Sequence, residues 1–158
     1  MPEPAARPGG PTRRRGTWHD TPVLYLTRRF AFSSSHRLHS DVLSGAENAC
    51  SYGVCENIHG HNYRLEVTVA GTVDQRTGFF CNVMELQALV SHLVVEPFDH
   101  HYLNDTTLLQ GAITTMEGIS TCIWQVLEPE LAAQGMRLHE LLLAETDEHW
   151  VRLRDDAR

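Results

Sequence analysis

The sequence has no apolar run approaching the roughly 18 residues that a membrane-spanning helix needs, so no membrane role is expected of it. Its first stretch, Met1 to Asp20, also lacks the apolar segment of about 7 to 15 residues that makes a secretory signal, and the cytoplasm is the expected compartment. Basic charge is sparse. One basic cluster, Arg13–Arg15, lies in a Pro/Gly-rich stretch, and the formal net charge is −7, which argues against a nucleic-acid partner. The four cysteines, Cys50, Cys55, Cys81 and Cys122, read as free thiols rather than a disulfide framework, because a reducing compartment keeps them so. Any chemistry they carry is then metal binding or catalysis.

What the chain does contain is ordinary globular composition, with 42% hydrophobic and 21% charged residues over 158 positions. That supports one domain, read as residues 23–158, behind a disordered tail over residues 1–22. Leu24, Leu26, Phe30 and Phe32 fall on one face of an extended segment, and Tyr63, Leu65, Val67 and Val69 alternate with polar residues in another. Between them, His36 to Ile58 shows no steady period and reads as a long connection. Val83, Leu86, Val90 and Leu93 recur at helical spacing behind Asn82 as N-cap, with Glu85 placed as in a capping box. A second helix is expected from Thr115, carrying Ile119, Cys122, Ile123, Val126 and Leu127, with Pro129 as an end, kink or restart and Gly135 closing it. A turn near Asp147 would pair Leu141–Ala144 with Val151–Leu153. This order predicts an α+β fold, an antiparallel sheet with two helices on one face, whose free sheet edges favour oligomerisation.

Ten histidines are many for this length. In Cys55-Glu56-Asn57-Ile58-His59-Gly60-His61-Asn62-Tyr63, strand alternation lets His59 and His61 face one metal ion, although such a pair also fits a solvated strand face. His36 ends the preceding strand and could complete three nitrogen ligands with an open fourth position, the pattern of a catalytic zinc. Cys55 is read as nucleophile, base or fourth ligand; the last option implies a closed structural site of Cys50, Cys55, His59 and His61. Cys81 and Cys122 sit on apolar faces and read as core. Asp99 beside His100 is a carboxylate–imidazole pair suited to proton transfer, or a solvated turn. Glu145, at a strand end, could accept paired hydrogen bonds from a planar heterocycle.

The segments Phe32-Ser-Ser-Ser-His36-Arg-Leu, Cys55-x-x-x-His59-Gly-His61-Asn-Tyr63, Phe98-Asp-His-His-Tyr-Leu-Asn104 and Glu145-Thr-Asp147, in this order, resemble the 6-pyruvoyltetrahydropterin synthase / 6-carboxytetrahydropterin synthase family over Leu24 to Leu153. The resemblance implies the ββααββ tunnelling fold and a ring-like homo-oligomeric barrel, commonly a hexamer. It implies Zn2+ on His36, His59 and His61, Cys55 as thiol base, Asp99 and His100 as proton relay, and Glu145 as anchor of the pterin ring. The implied substrate is 7,8-dihydroneopterin triphosphate. Three residues between Cys55 and His59 resemble the carboxytetrahydropterin synthases of queuosine-type deazapurine biosynthesis, so the expected product is 6-carboxytetrahydropterin with acetaldehyde and triphosphate. The alternatives are pyruvoyl-forming activity, or cleavage to hydroxymethyldihydropterin with Glu56 as auxiliary acid/base. A non-catalytic pterin-binding or structural-zinc protein remains a further alternative, because Asn82 and Met116 depart from the family pattern.

Overall fold

The computed structural model describes residues 22–155, so all of the expected tail except Pro22 lies outside the described residues. Within them, the two alternating segments form the long strands β1 (Leu24–His36) and β2 (His59–Gly71), thirteen residues each. They pair antiparallel without interruption from Leu24 opposite Gly71 to His36 opposite His59. The chain continues through α2 (Val83–Val90) and α3 (Met116–Ala133) into β3 (Arg137–Ala144) and β4 (Trp150–Arg154); α1 (Gly45–Tyr52) lies between the first two strands. The sheet order is β1-β2-β3-β4, antiparallel throughout, with Leu141 opposite Leu153 as the expected hairpin requires. This is the α+β tunnelling fold.

The pleat divides the sheet by chemistry. Phe30, Phe32, Tyr63, Leu65, Val67, Val69, Leu141 and Leu143 turn to one face and pack beneath the helices. The helices contribute Leu86, Val90, Ile119, Ile123, Leu127 and Leu131 to the same core. Full burial of such side chains is worth about 1.5–3 kcal/mol each, which is ample to hold the strand register. The opposite face carries cross-strand polar pairs, with Arg29 2.7 Å from Glu66 and Arg154 2.6 Å from Glu140. No helix among the described residues is long and apolar enough to cross a membrane.

Three local expectations are corrected. The segment after His36 is not all connection, since it contains α1 and a 3-10 turn at Gly53–Glu56. Ser44 and Glu47 cap α1 reciprocally, a signal hidden by the helix's mostly exposed, short apolar content. Pro129 does not end the helix: α3 runs through it to Ala133. Both Pro129 and Gln125, whose carbonyl loses its helical partner, are on the exposed side, where water can replace the missing bond. Asn82 does cap α2, accepting from the Met84 N–H, but Glu85 bonds to the Asn82 side-chain amide instead of closing a capping box through the backbone. As expected, Thr115 caps α3, and Gly135, at φ 75°, terminates it in a left-handed conformation.

The loop before α1 is held by Asn48, which is fully buried. Its side chain accepts from the Ser40 N–H at 2.9 Å and donates to the carbonyls of Ser40, Leu43 and Ser44 at 3.0 to 3.1 Å. Asn48→Ala leaves these buried groups unsatisfied and is expected to lower stability by about 1–3 kcal/mol in urea denaturation. A loss below about 0.5 kcal/mol would mean that the loop is held by something else.

Candidate metal and active site

The β1–β2 register puts His36 directly opposite His59, and the alternation of β2 returns His61 to the same face. Ring centroids lie 4.5 Å apart for His36 and His59, 5.2 Å for His36 and His61, and 5.1 Å for His59 and His61. One ring nitrogen from each falls within 4.8 Å of the others, so the triad could hold a metal ion. The His36 Nδ1–H donates to the Thr114 carbonyl at 2.8 Å, and the His59 Nδ1–H to the Asn57 carbonyl at 2.8 Å. A carbonyl only accepts, so each Nδ1 carries the proton and each Nε2 keeps its lone pair. The Nε2 atoms of His36 and His61 are buried with no hydrogen-bond partner. Buried lone pairs converging without a donor fit a divalent cation, and three imidazoles with an open position fit zinc.

Burial also sets the protonation state. It is the largest cause that lowers the His36 pKa to about 4; the bond to Thr114 opposes it, and the His59 and His61 charges reinforce it. Burial likewise lowers His61, against the pull of Glu145. Neutral imidazole is the ligating form, so both residues are ready to bind metal near neutral pH.

Glu145 joins this face from the end of β3. Because Arg64 pairs with Ala144, Glu145 comes beside Tyr63, and its Oε1 lies 3.8 Å from His36 Nε2 and accepts from the Tyr63 hydroxyl at 3.4 Å. Tyr63 is 1% exposed and stacks on Phe32 with centroids 4.9 Å apart. Burial, then the Glu145 charge, raises its phenol well above the usual range. Tyr63 was not singled out as a site residue in the sequence, although its alternation with His59 and His61 was the signal.

Cys55 lies on the 3-10 turn that leads into β2, partly exposed, and its carbonyl accepts from the Leu38 N–H at 2.8 Å. The metal-competent group includes neither Cys55 nor the exposed Cys50, so it gives no support to the closed four-ligand alternative. Glu56 turns to His39, with Oε1 3.6 Å from its Nδ1, and not to the triad. Cys81 is core and Cys122 packs against it, and burial raises both thiols. All four cysteines are free.

Asp99 and His100 do form a pair, with His100 Nδ1 2.9 Å from Asp99 Oδ2. Asp99 also accepts from the Ser33 N–H at 2.9 Å; this bond, then His100, lowers its pKa. His100 adopts φ 61°, a sparsely populated conformation for a non-glycine residue, held by its N–H donating to the Ser33 carbonyl at 2.7 Å. The imidazole borders an open cleft of about 450 Å3 that includes Ser33, Ser35, Gly60, Asn62 and the triad residue His61. No hydrogen bond or ion pair among the described residues joins this dyad to the triad.

The His36 shift has a measurable consequence. Folded, His36 stays neutral down to about pH 4, whereas the unfolded chain binds that proton near 6.5. The unfolded state therefore binds more protons in this interval, and metal-free protein should lose stability as pH falls from 6.5 to 4, by on the order of 3 kcal/mol from this residue. Urea denaturation with chelator should show a flatter pH dependence in His36→Gln. Equal slopes in the two proteins would contradict the burial account.

Residues 25–156 match the family described as 6-pyruvoyl tetrahydropterin synthase. A 6-pyruvoyl tetrahydrobiopterin synthase of Dictyostelium discoideum is 45% identical over 130 residues, 82% of this chain and 94% of that protein. The Drosophila melanogaster protein of that name is 40% identical over 127 residues, 75% of each chain. A match from Archaeoglobus fulgidus, 30% identical over 73% of this chain and 91% of its own, is provisionally described as a 6-carboxy-5,6,7,8-tetrahydropterin synthase. Among solved structures, the Caenorhabditis elegans 6-pyruvoyl tetrahydropterin synthase superposes with a TM-score of 0.79 at 28% identity, over 86% of this chain and 98% of that one. With a family match spanning both long strands, the imidazole triad and the Glu145 strand end, the chain belongs to the 6-pyruvoyl tetrahydropterin synthase family.

Proposed function

We propose that this chain is a zinc-dependent pterin lyase that converts 7,8-dihydroneopterin triphosphate to 6-pyruvoyltetrahydropterin. The observation that carries this reading is the buried, unpartnered imidazole triad with Glu145 beside it. The choice of product revises the expectation from the Cys55–His59 spacing. Relatives at 45% and 40% identity are named as pyruvoyl-type enzymes, whereas the carboxy-type match stands at 30%. The carboxy-forming, queuosine-type reaction remains a second reading, favoured by that spacing alone. Glu56 gives little support to hydroxymethyldihydropterin formation, because its carboxylate faces His39.

His36, His59 and His61 would hold the zinc, which when bound would supply Lewis-acid polarisation of oxygens on the substrate side chain. Glu145, fixed by Tyr63, accepts hydrogen bonds from the N–H and amino groups of the pterin ring and so orients it. Cys55 removes the proton beside the ring, and Asp99 with His100 relays protons. In this reading a homo-oligomer, six-membered by family resemblance, carries the dyad of one subunit toward the triad of another.

Incubating metal-loaded protein with freshly made substrate, followed by mass spectrometry, should yield pyruvoyltetrahydropterin and triphosphate. Carboxytetrahydropterin with acetaldehyde would select the second reading, and no turnover with zinc bound would favour a binding protein. Cys55→Ala should retain its zinc while losing at least about 100-fold in turnover. Zinc loss in that variant would make Cys55 a ligand instead of the base.

A further inference from the structure

His59 donates to the Asn57 carbonyl only two residues away, but His36 stands at the last position of β1 and takes its Nδ1 partner from a distant part of the chain. Its Nδ1 partner, the Thr114 carbonyl, belongs to a residue 78 positions away, 1% exposed and immediately before the α3 cap. Thr114 grips the same strand end a second time, because its hydroxyl donates to the Arg37 carbonyl at 2.9 Å. Asn104 completes the clamp: its amide donates to the Arg37 carbonyl at 2.9 Å and its Oδ1 accepts from the Arg37 N–H at 3.0 Å. The backbone just beyond the ligand is thus held by side chains where strand pairing has ended. Thr114 itself is placed by a close approach at Gly118. A Cβ there would lie 2.1 Å from the Ile113 carbonyl oxygen, a backbone atom, so any larger residue must displace the Ile113–Thr114 peptide.

We propose that Asn104, Thr114 and Gly118 are positioning residues for the metal site, a clamp from outside the sheet that fixes the tautomer and direction of His36. The inference rests on the metal-centre reading above. None of the three supplies a ligand atom to the triad, so each acts through His36. Disturbing an outer partner of a metal-bound histidine typically weakens metal binding by about 10 to 100-fold, and the clamp variants should fall in that range.

The test measures zinc affinity by competition with a chromophoric chelator, and the visible absorption of the cobalt-substituted protein, on the full chain. Wild type, His36→Ala, Asn104→Ala, Gly118→Ala, Thr114→Val and Thr114→Ser are compared, with urea midpoints recorded to confirm folding. Asn104→Ala, Gly118→Ala and Thr114→Val should weaken zinc about 10 to 100-fold and alter the cobalt spectrum, while Thr114→Ser, which keeps the hydroxyl, should restore both. If Gly118→Ala fails to fold, the Thr114→Val and Thr114→Ser pair decides. Wild-type affinity and spectrum in Asn104→Ala and Thr114→Val, with His36→Ala impaired, would overturn the clamp and leave the metal centre standing. Weak binding by wild type that His36→Ala does not change would overturn the metal centre itself.

Discussion

The register of two thirteen-residue strands is the constraint on which the rest depends. His36 opposite His59 follows from the same pairing that sets Phe32 opposite Tyr63 and Phe30 opposite Leu65. A slip by one residue would turn every one of those side chains to the other face, expelling the aromatic core and dispersing the imidazoles together. Apolar burial along the strands therefore secures the polar site at their end. The cost runs the other way at His36, where burial disfavours the charged form and leaves an Nε2 lone pair without a donor. A cation would satisfy that group, to which the described residues offer no donor.

The covered face of the sheet passes gradually from core to site. Tyr63 belongs to both, since its ring stacks in the core against Phe32 and its hydroxyl reaches Glu145. Segment 98–104 closes the adjoining edge of β1 by different means. Ser34 donates to the Phe98 carbonyl, Ser35 N–H to the His101 carbonyl, and Asn104 brackets Arg37. The strap that carries Asp99 and His100 is thereby stitched to the strand that ends in His36, and His100 shares an open cleft with His61 of the triad. Within one chain the metal-competent group and the acid–base pair reach the same cleft without a hydrogen bond or ion pair between them among the described residues.

Much of this was legible in the residues. Period-two alternation marked both long strands and the shared face of His59 and His61, and helical spacing marked α2 and α3, because burial on one face imposes those periods. Other features leave no period to read. α1 is recognised by Ser44 and Glu47 and by the inward Asn48, all polar, within a helix of eight residues. Pro129 looked like a boundary because its tolerance depends on which side of α3 meets water. The roles of Thr114 and Gly118 are invisible in one dimension, since one acts through a backbone carbonyl and the other through the absence of a side chain. The carboxy branch rested on a single loop spacing, whereas the similarity along the domain lends more support to the pyruvoyl-forming alternative.

The most direct test of the central claim is X-ray absorption spectroscopy of the purified protein at the zinc edge, with metal content determined on the same sample. The account predicts about one zinc per chain, with nitrogen and oxygen scatterers at about 2.0–2.1 Å and imidazole outer-shell features. A sulfur shell at about 2.3 Å would place cysteine in the coordination sphere, and protein purified and reconstituted without bound zinc would contradict a metal centre on His36, His59 and His61.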